Sequence, residues 1–218
     1  MIGREIKVLL HKEMTIEYRQ KYAISGILLY VLSTVYIIYT SITRFPEEIW
    51  GALYWVIILF AAINAVLKGF VQETSGQRLF LYTLVSPYSI ILSKIIYNLV
   101  LLMVICMLSY FAMFIFLGSP VKQTLLFFTG IFLGASGLGI ALTFVAAVAS
   151  RGSNQATLMA ILGFPVIIPV LLIVLKLTAQ SVGLINDEHI MSDIQILIGV
   201  DLLLIGLSLY LFPFLWKD

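Results

Sequence analysis

Charge is scarce in this chain, and so are the side chains on which most enzymes run. Asp, Glu, Lys and Arg make up 11% of its 218 residues, where a soluble domain of this size carries about 25%. There is one cysteine, Cys106, so no intrachain disulfide can form and the redox compartment is not legible from it. No Gly-x-x-x-x-Gly-Lys-Ser/Thr string occurs, which excludes ATP hydrolysis by a phosphate-cradling loop. His11 and His189 are the two histidines, and neither falls near a serine or threonine in the expected topology. No aspartate cluster marks a membrane phosphotransferase. No catalytic constellation emerges, and the chain reads as a non-enzyme. A net charge of +2 gives no footing for nucleic acid.

What is abundant is apolar length. The chain is 61% hydrophobic with a mean hydropathy of +1.09. A bilayer-crossing helix needs about 20 mostly apolar residues. Six stretches come close to that: 22–42, 50–67, 95–117, 125–149, 156–177 and 194–216. The sequence therefore predicts one all-α polytopic membrane domain over residues 1–218. No cleavable signal peptide is expected, because the first apolar run begins at Tyr22 and is long enough to remain as an anchor.

Charge orients these spans. Arg4, Lys7, Lys12, Arg19, Lys21, Lys68, Arg78, Lys94, Arg151 and Lys217 fall on one side, ten in all, against Arg44, Lys122 and Lys176 on the other. The positive-inside rule puts both termini in the cytoplasm. The outer segments are acidic, with Glu47, Glu48, Asp187, Glu188 and Asp193. Trp50, Tyr54 and Trp55 stand at the depth of interfacial aromatics.

Residues 1–21 alternate charge with apolar side chains at helical spacing. Ile2, Ile6, Leu9, Leu10 and Met14 share one side, while Arg4, Lys7, Lys12 and Glu13 cover much of the rest. This is the pattern of an amphipathic helix on the cytoplasmic interface, or of a solvated extension of the first span.

The connection 68–94 is the longest cytoplasmic one. Phe70 to Glu73 continue the preceding helix, and Ser75 and Gly76 break it. Gln77 to Val85 can form about two turns, with Phe80, Leu81, Leu84 and Val85 on one face. Ser86 and Pro87 end it. Such a helix offers one apolar face to the membrane domain and one to a partner's groove; the alternative is an ordinary interfacial helix.

The string Phe70, Glu73, Gly76, Leu79, Leu84, Pro87, Lys94 resembles the cytoplasmic loop of the cytochrome c maturation protein B family. Gly51 to Val56 resembles that family's start of span two. Gly139 to Thr143, Arg151-Gly152, Pro165 and Ile168-Pro169 resemble its span four to span five segment. The resemblance implies the membrane subunit of an ABC-type haem exporter with an ABC-2-like fold, in the bacterial inner membrane. It implies two copies, a separate ABC ATPase, a haem-handling membrane subunit and a haem chaperone as partners. Haem would be cargo and ATP would act through the ATPase. The machine would export haem or release a haem-loaded chaperone; a non-transporting scaffold for haem-handling proteins, or an exporter of another lipophilic cargo, are the other readings. Gly76 to Val85 is the candidate coupling helix, with Glu73, Gly76, Gln77, Arg78, Leu79, Phe80 and Leu84 as its ATPase-coupling residues.

Three further features carry chemistry. Asp201 is the one acid within a span, and ionisable groups at such depth are costly and default to function; contact with interfacial water is the alternative. Pro165 and Pro169 each remove a backbone hydrogen bond in span five, which gives a static kink or a hinge. Met103, Cys106 and Met107 share a face of span three, as core packing or as axial haem ligands. The glycines of span four, Gly130, Gly134, Gly137 and Gly139, suit close helix packing.

Overall fold

The computed structural model describes residues 2–20, 22–42, 46–71, 84–150, 154–186 and 188–217. Among them are seven helices and no strand: α1 (Ile2–Gln20), α2 (Tyr22–Ser41), α3 (Glu47–Val71), α4 (Pro87–Leu117), α5 (Thr124–Ala149), α6 (Gln155–Val182) and α7 (Ile190–Lys217). Among the described residues, α3 to α7 are long and apolar enough to cross a membrane, and α2 contributes a shorter apolar run, Ser25–Ser41.

The helix ends follow local chemistry. Ser86 is extended (φ −67, ψ 143) and its side chain accepts from the Ser89 N–H, with Pro87 in the first turn. That is a serine N-cap followed by a residue whose missing N–H costs nothing there. It starts α4 at Pro87, well before the expected Ile95. α4 has 31 residues, about 46 Å of helix, so it outruns a hydrocarbon core of about 30 Å. α6 also runs past the expected end at Leu177, with the Thr178 and Ser181 hydroxyls satisfied on carbonyls within the helix. Gly183 closes it in the left-handed conformation, φ +85.

α5 is the centre of the bundle, packed against α3, α4, α6 and α7. Its small residues make this possible. A Cβ on Gly134 would collide with the Trp55 ring and with Val174, and one on Gly137 would meet Val170 and Asp201. Asn98 of α4 donates to Thr143 of α5 at 2.8 Å, both buried. Trp50, Tyr54 and Trp55 face inward, each at most 1% exposed, rather than toward lipid. Their polar atoms are met internally: Trp50 by the Gly118 carbonyl, Tyr54 by the Cys106 carbonyl, Trp55 by the Thr178 hydroxyl. Met103 and Met107 pack against the core beside the buried Cys106, as space-filling side chains.

Candidate coupling site between α1 and α4

α1 turns its expected apolar side inward only in part, Ile6 and Leu10 being half-buried. Leu9 is buried, but Met14 is 58% exposed, and Glu13 takes the inward place because Lys94 waits there. Three acids of α1 set its register on α4: Glu5 on Ser86 and Ser89, Glu13 on Lys94, Glu17 on Tyr97. The two helices therefore run side by side in the same direction.

Glu5 Oε2 accepts from Ser89 Oγ at 2.7 Å, from Ser86 Oγ at 3.1 Å and from the Ser86 N–H at 3.4 Å. A carboxylate here faces the unpaired N–H groups and the positive end of α4. The Ser89 bond, aided by the Ser86 bonds and opposed by burial, holds the Glu5 carboxyl below its ordinary value.

Lys94 is 6% exposed. Its Nζ lies 3.4 Å from the Gly69 carbonyl and 3.9 Å from Glu13 Oε1. Gly69 is in the last turn of α3, where carbonyls lack an intrahelical partner and a cation is favoured. Glu13 also pairs with Lys12 at 3.1 Å. The Tyr97 hydroxyl donates to Glu17 Oε2 at 3.1 Å. Charged side chains thus fix the chain just before and just after residues 72–83: Lys94 at the end of α3, Glu5 at the start of α4.

Glu73, Gly76, Gln77, Arg78, Leu79 and Phe80 lie outside the described residues. Leu84 is described and 62% exposed. The other sequence-derived candidates stand apart from this site. Asp201 is buried on α7, and Pro165 and Pro169 lie exposed on α6, which continues through both. His11 and His189 are exposed on α1 and just before α7. Among the described residues, no three or more His, Cys, Asp or Glu side chains are grouped to hold a metal. Sequence reasoning missed Glu5, Glu13, Glu17, Ser86, Ser89 and Tyr97. The signal available was three acids at i, i+8 and i+12 in an otherwise basic arm.

The chain matches the family model described as CcmB protein over residues 4–215. No curated protein matches it.

Proposed function

The chain belongs to the CcmB protein family, and from that premise we propose that it is the permease subunit of an ABC transporter complex, driven by a separate ATPase. As a CcmB protein it is a multi-pass membrane component of the haem-export system of cytochrome c biogenesis. In the proposed arrangement α2 to α7 are six spans of an ABC-2-like domain in the bacterial inner membrane. Both termini are cytoplasmic, and two copies pair about a two-fold axis. The ATPase docks on residues 73–84, and a haem-handling membrane subunit and haem chaperone complete the complex.

One observation carries the coupling role: both ends of the 72–83 segment are held by charged side chains that also grip α1. A push on that segment reaches α3, α4 and α1 together. The packed interior favours a particular use of that push. Trp50, Trp55, Tyr54 and Phe127 are at most 1% exposed and fill the space among α3, α4, α5 and α6. Haem then moves along faces between subunits, or ATP releases a loaded chaperone, rather than cargo threading one chain.

The test is an affinity pull-down of this chain in detergent from its own cells, with ATP hydrolysis and haem absorption read on the eluate. The expected result is an ATPase and a haem-binding partner together, both lost on reversing the charges of Arg78 and Glu73. An ATPase without haem would overturn the cargo, and no ATPase would overturn the transporter reading.

A further inference from the structure

Asp201 lies outside the coupling site, on the seam where α7 meets α5. It is 7% exposed. Its Oδ2 lies 2.6 Å from Ser136 Oγ. Its Oδ1 has no hydrogen-bond partner among the described residues, and points at the place a Cβ on Gly137 would fill, 2.6 Å away. Ser136 Oγ also lies 2.8 Å from the Leu133 carbonyl. A serine hydroxyl has one proton to donate. Two acceptor oxygens, Asp201 Oδ2 and the Leu133 carbonyl, therefore compete for a single donor.

An ionised Asp201 would be a buried anion with at most one hydrogen bond. Among the described residues, no cation is paired with it. α5 carries no ionisable side chain. On α6, Lys176 bonds Asp193 at 2.8 Å. On α4, Lys94 is held by Gly69 and Glu13, and Tyr97 by Glu17. Tyr88 is exposed, Tyr110 packs among aromatic rings, and Cys106 is buried beside Tyr54. On α7 itself, Asp193 is taken by Lys176 and Tyr210 is 69% exposed. An unpaired charge in such surroundings is costly.

We propose that Asp201 and Ser136 form an intramembrane binding site for a single proton. With the proton bound, Asp201 Oδ2 donates to Ser136 Oγ, and the Ser136 hydroxyl is free to donate to the Leu133 carbonyl. Oδ1 remains as a neutral carbonyl oxygen, which tolerates an unfilled lone pair better than an anion does. Gly137 leaves the carboxyl room to lie flat against α5. Separation of α7 from α5 breaks the Asp201–Ser136 bond and opens the carboxyl to water, where the proton leaves. Occupancy of the site is thereby tied to closure of the α5–α7 seam.

Infrared spectroscopy of the purified full chain at neutral pH tests this, comparing wild type with Asp201→Asn and Ser136→Ala. A protonated-carboxyl C=O band is expected in wild type. It should vanish in Asp201→Asn, whose amide replaces the O–H donor and keeps the fold. In Ser136→Ala it should shift, because the acid has lost its acceptor. A wild-type spectrum without that band, or a band unchanged in Asp201→Asn, overturns the site. Where Asp201→Asn does not fold, Ser136→Ala decides: a band that does not move overturns it.

Discussion

Glu5 and Ser89 stand 84 positions apart in the chain and are joined by a 2.7 Å hydrogen bond. The bond fastens the N-terminal helix to the first turn of a long span, at the point where the chain emerges from the proposed ATPase-binding segment. Glu5→Ala should therefore leave the bundle assembled while loosening that junction. Faster hydrogen exchange at the Ser86–Ile90 amides, and ATPase activity less responsive to the membrane subunit, are the expected results. Unchanged exchange at those amides would remove Glu5 from the coupling path.

The same contact has a signed dependence on pH. Its carboxyl is held below the ordinary 4.5, so the folded state binds this proton less readily than the unfolded one. The stabilisation is complete above 4.5 and fades as pH falls through the lowered folded value. Exchange at the Ser86–Ile90 amides should be flat from neutral pH down to about 5, after correction for the intrinsic exchange rate, and rise below that. Glu5→Gln should show the raised exchange at every pH.

Gly134 and Trp55 form a second testable pair, this one within the core. The Trp55 ring lies where a Cβ on Gly134 would stand, and its Nε1 donates to Thr178 Oγ1 at 2.8 Å. Gly134→Ala overfills this site and should cost about 1–3 kcal/mol. Trp55→Phe removes the obstructing ring edge and also the hydrogen bond. The double variant should lose less than the two single losses added, since the clash is counted once. Denaturation in detergent gives the three numbers, and strict additivity would show that the contact is absent.

The apolar stretches behind these helices were legible because lipid leaves the backbone few choices. A chain this apolar must satisfy its peptide groups within helices, and Ser86-Pro87 marks a helix start by its own chemistry. Facing was harder to read. α4 and α5 are apolar all round, so no periodicity says which side packs; the small residues of α5 decide it by letting Trp55, Val170, Val174 and Asp201 approach. The depth expected for Trp50 and Trp55 did not say which way they face; they turn inward, where their indole N–H groups find the Gly118 carbonyl and the Thr178 hydroxyl. The acids of α1 read as solvated because Ser86, Ser89, Lys94 and Tyr97 are some 80 positions away. Asp201 was legible as an outlier of charge, but its partner Ser136 was not, being one small residue among many.

Asn98 and Thr143 clasp α4 to α5 at 2.8 Å in a fully buried setting. Interhelical hydrogen bonds in membranes are weaker than their burial suggests, since the separated helices find other partners. A double-mutant cycle with Asn98→Ala and Thr143→Val should give a coupling energy of about 0.6–1.7 kcal/mol. A value near zero would mean that each side chain is satisfied as well without the other.

Pro165 and Pro169 lie on the exposed side of α6, so alanine at either position disturbs little packing. Each proline lacks the N–H that a helix would use, and its ring crowds the carbonyl four residues back. Pro165→Ala restores a donor to the Ile161 carbonyl, and Pro169→Ala one to the carbonyl of residue 165. Both variants should be at least as stable as the parent, because a mid-helix proline costs about 3 kcal/mol relative to alanine. If α6 flexes there during the ATPase cycle, a complex carrying the stiffer helix should still hydrolyse ATP through its ATPase subunit without supporting cytochrome c maturation. Stability and maturation both at parental levels would make the prolines a fixed bend. Raised stability with maturation lost would identify them as the hinge.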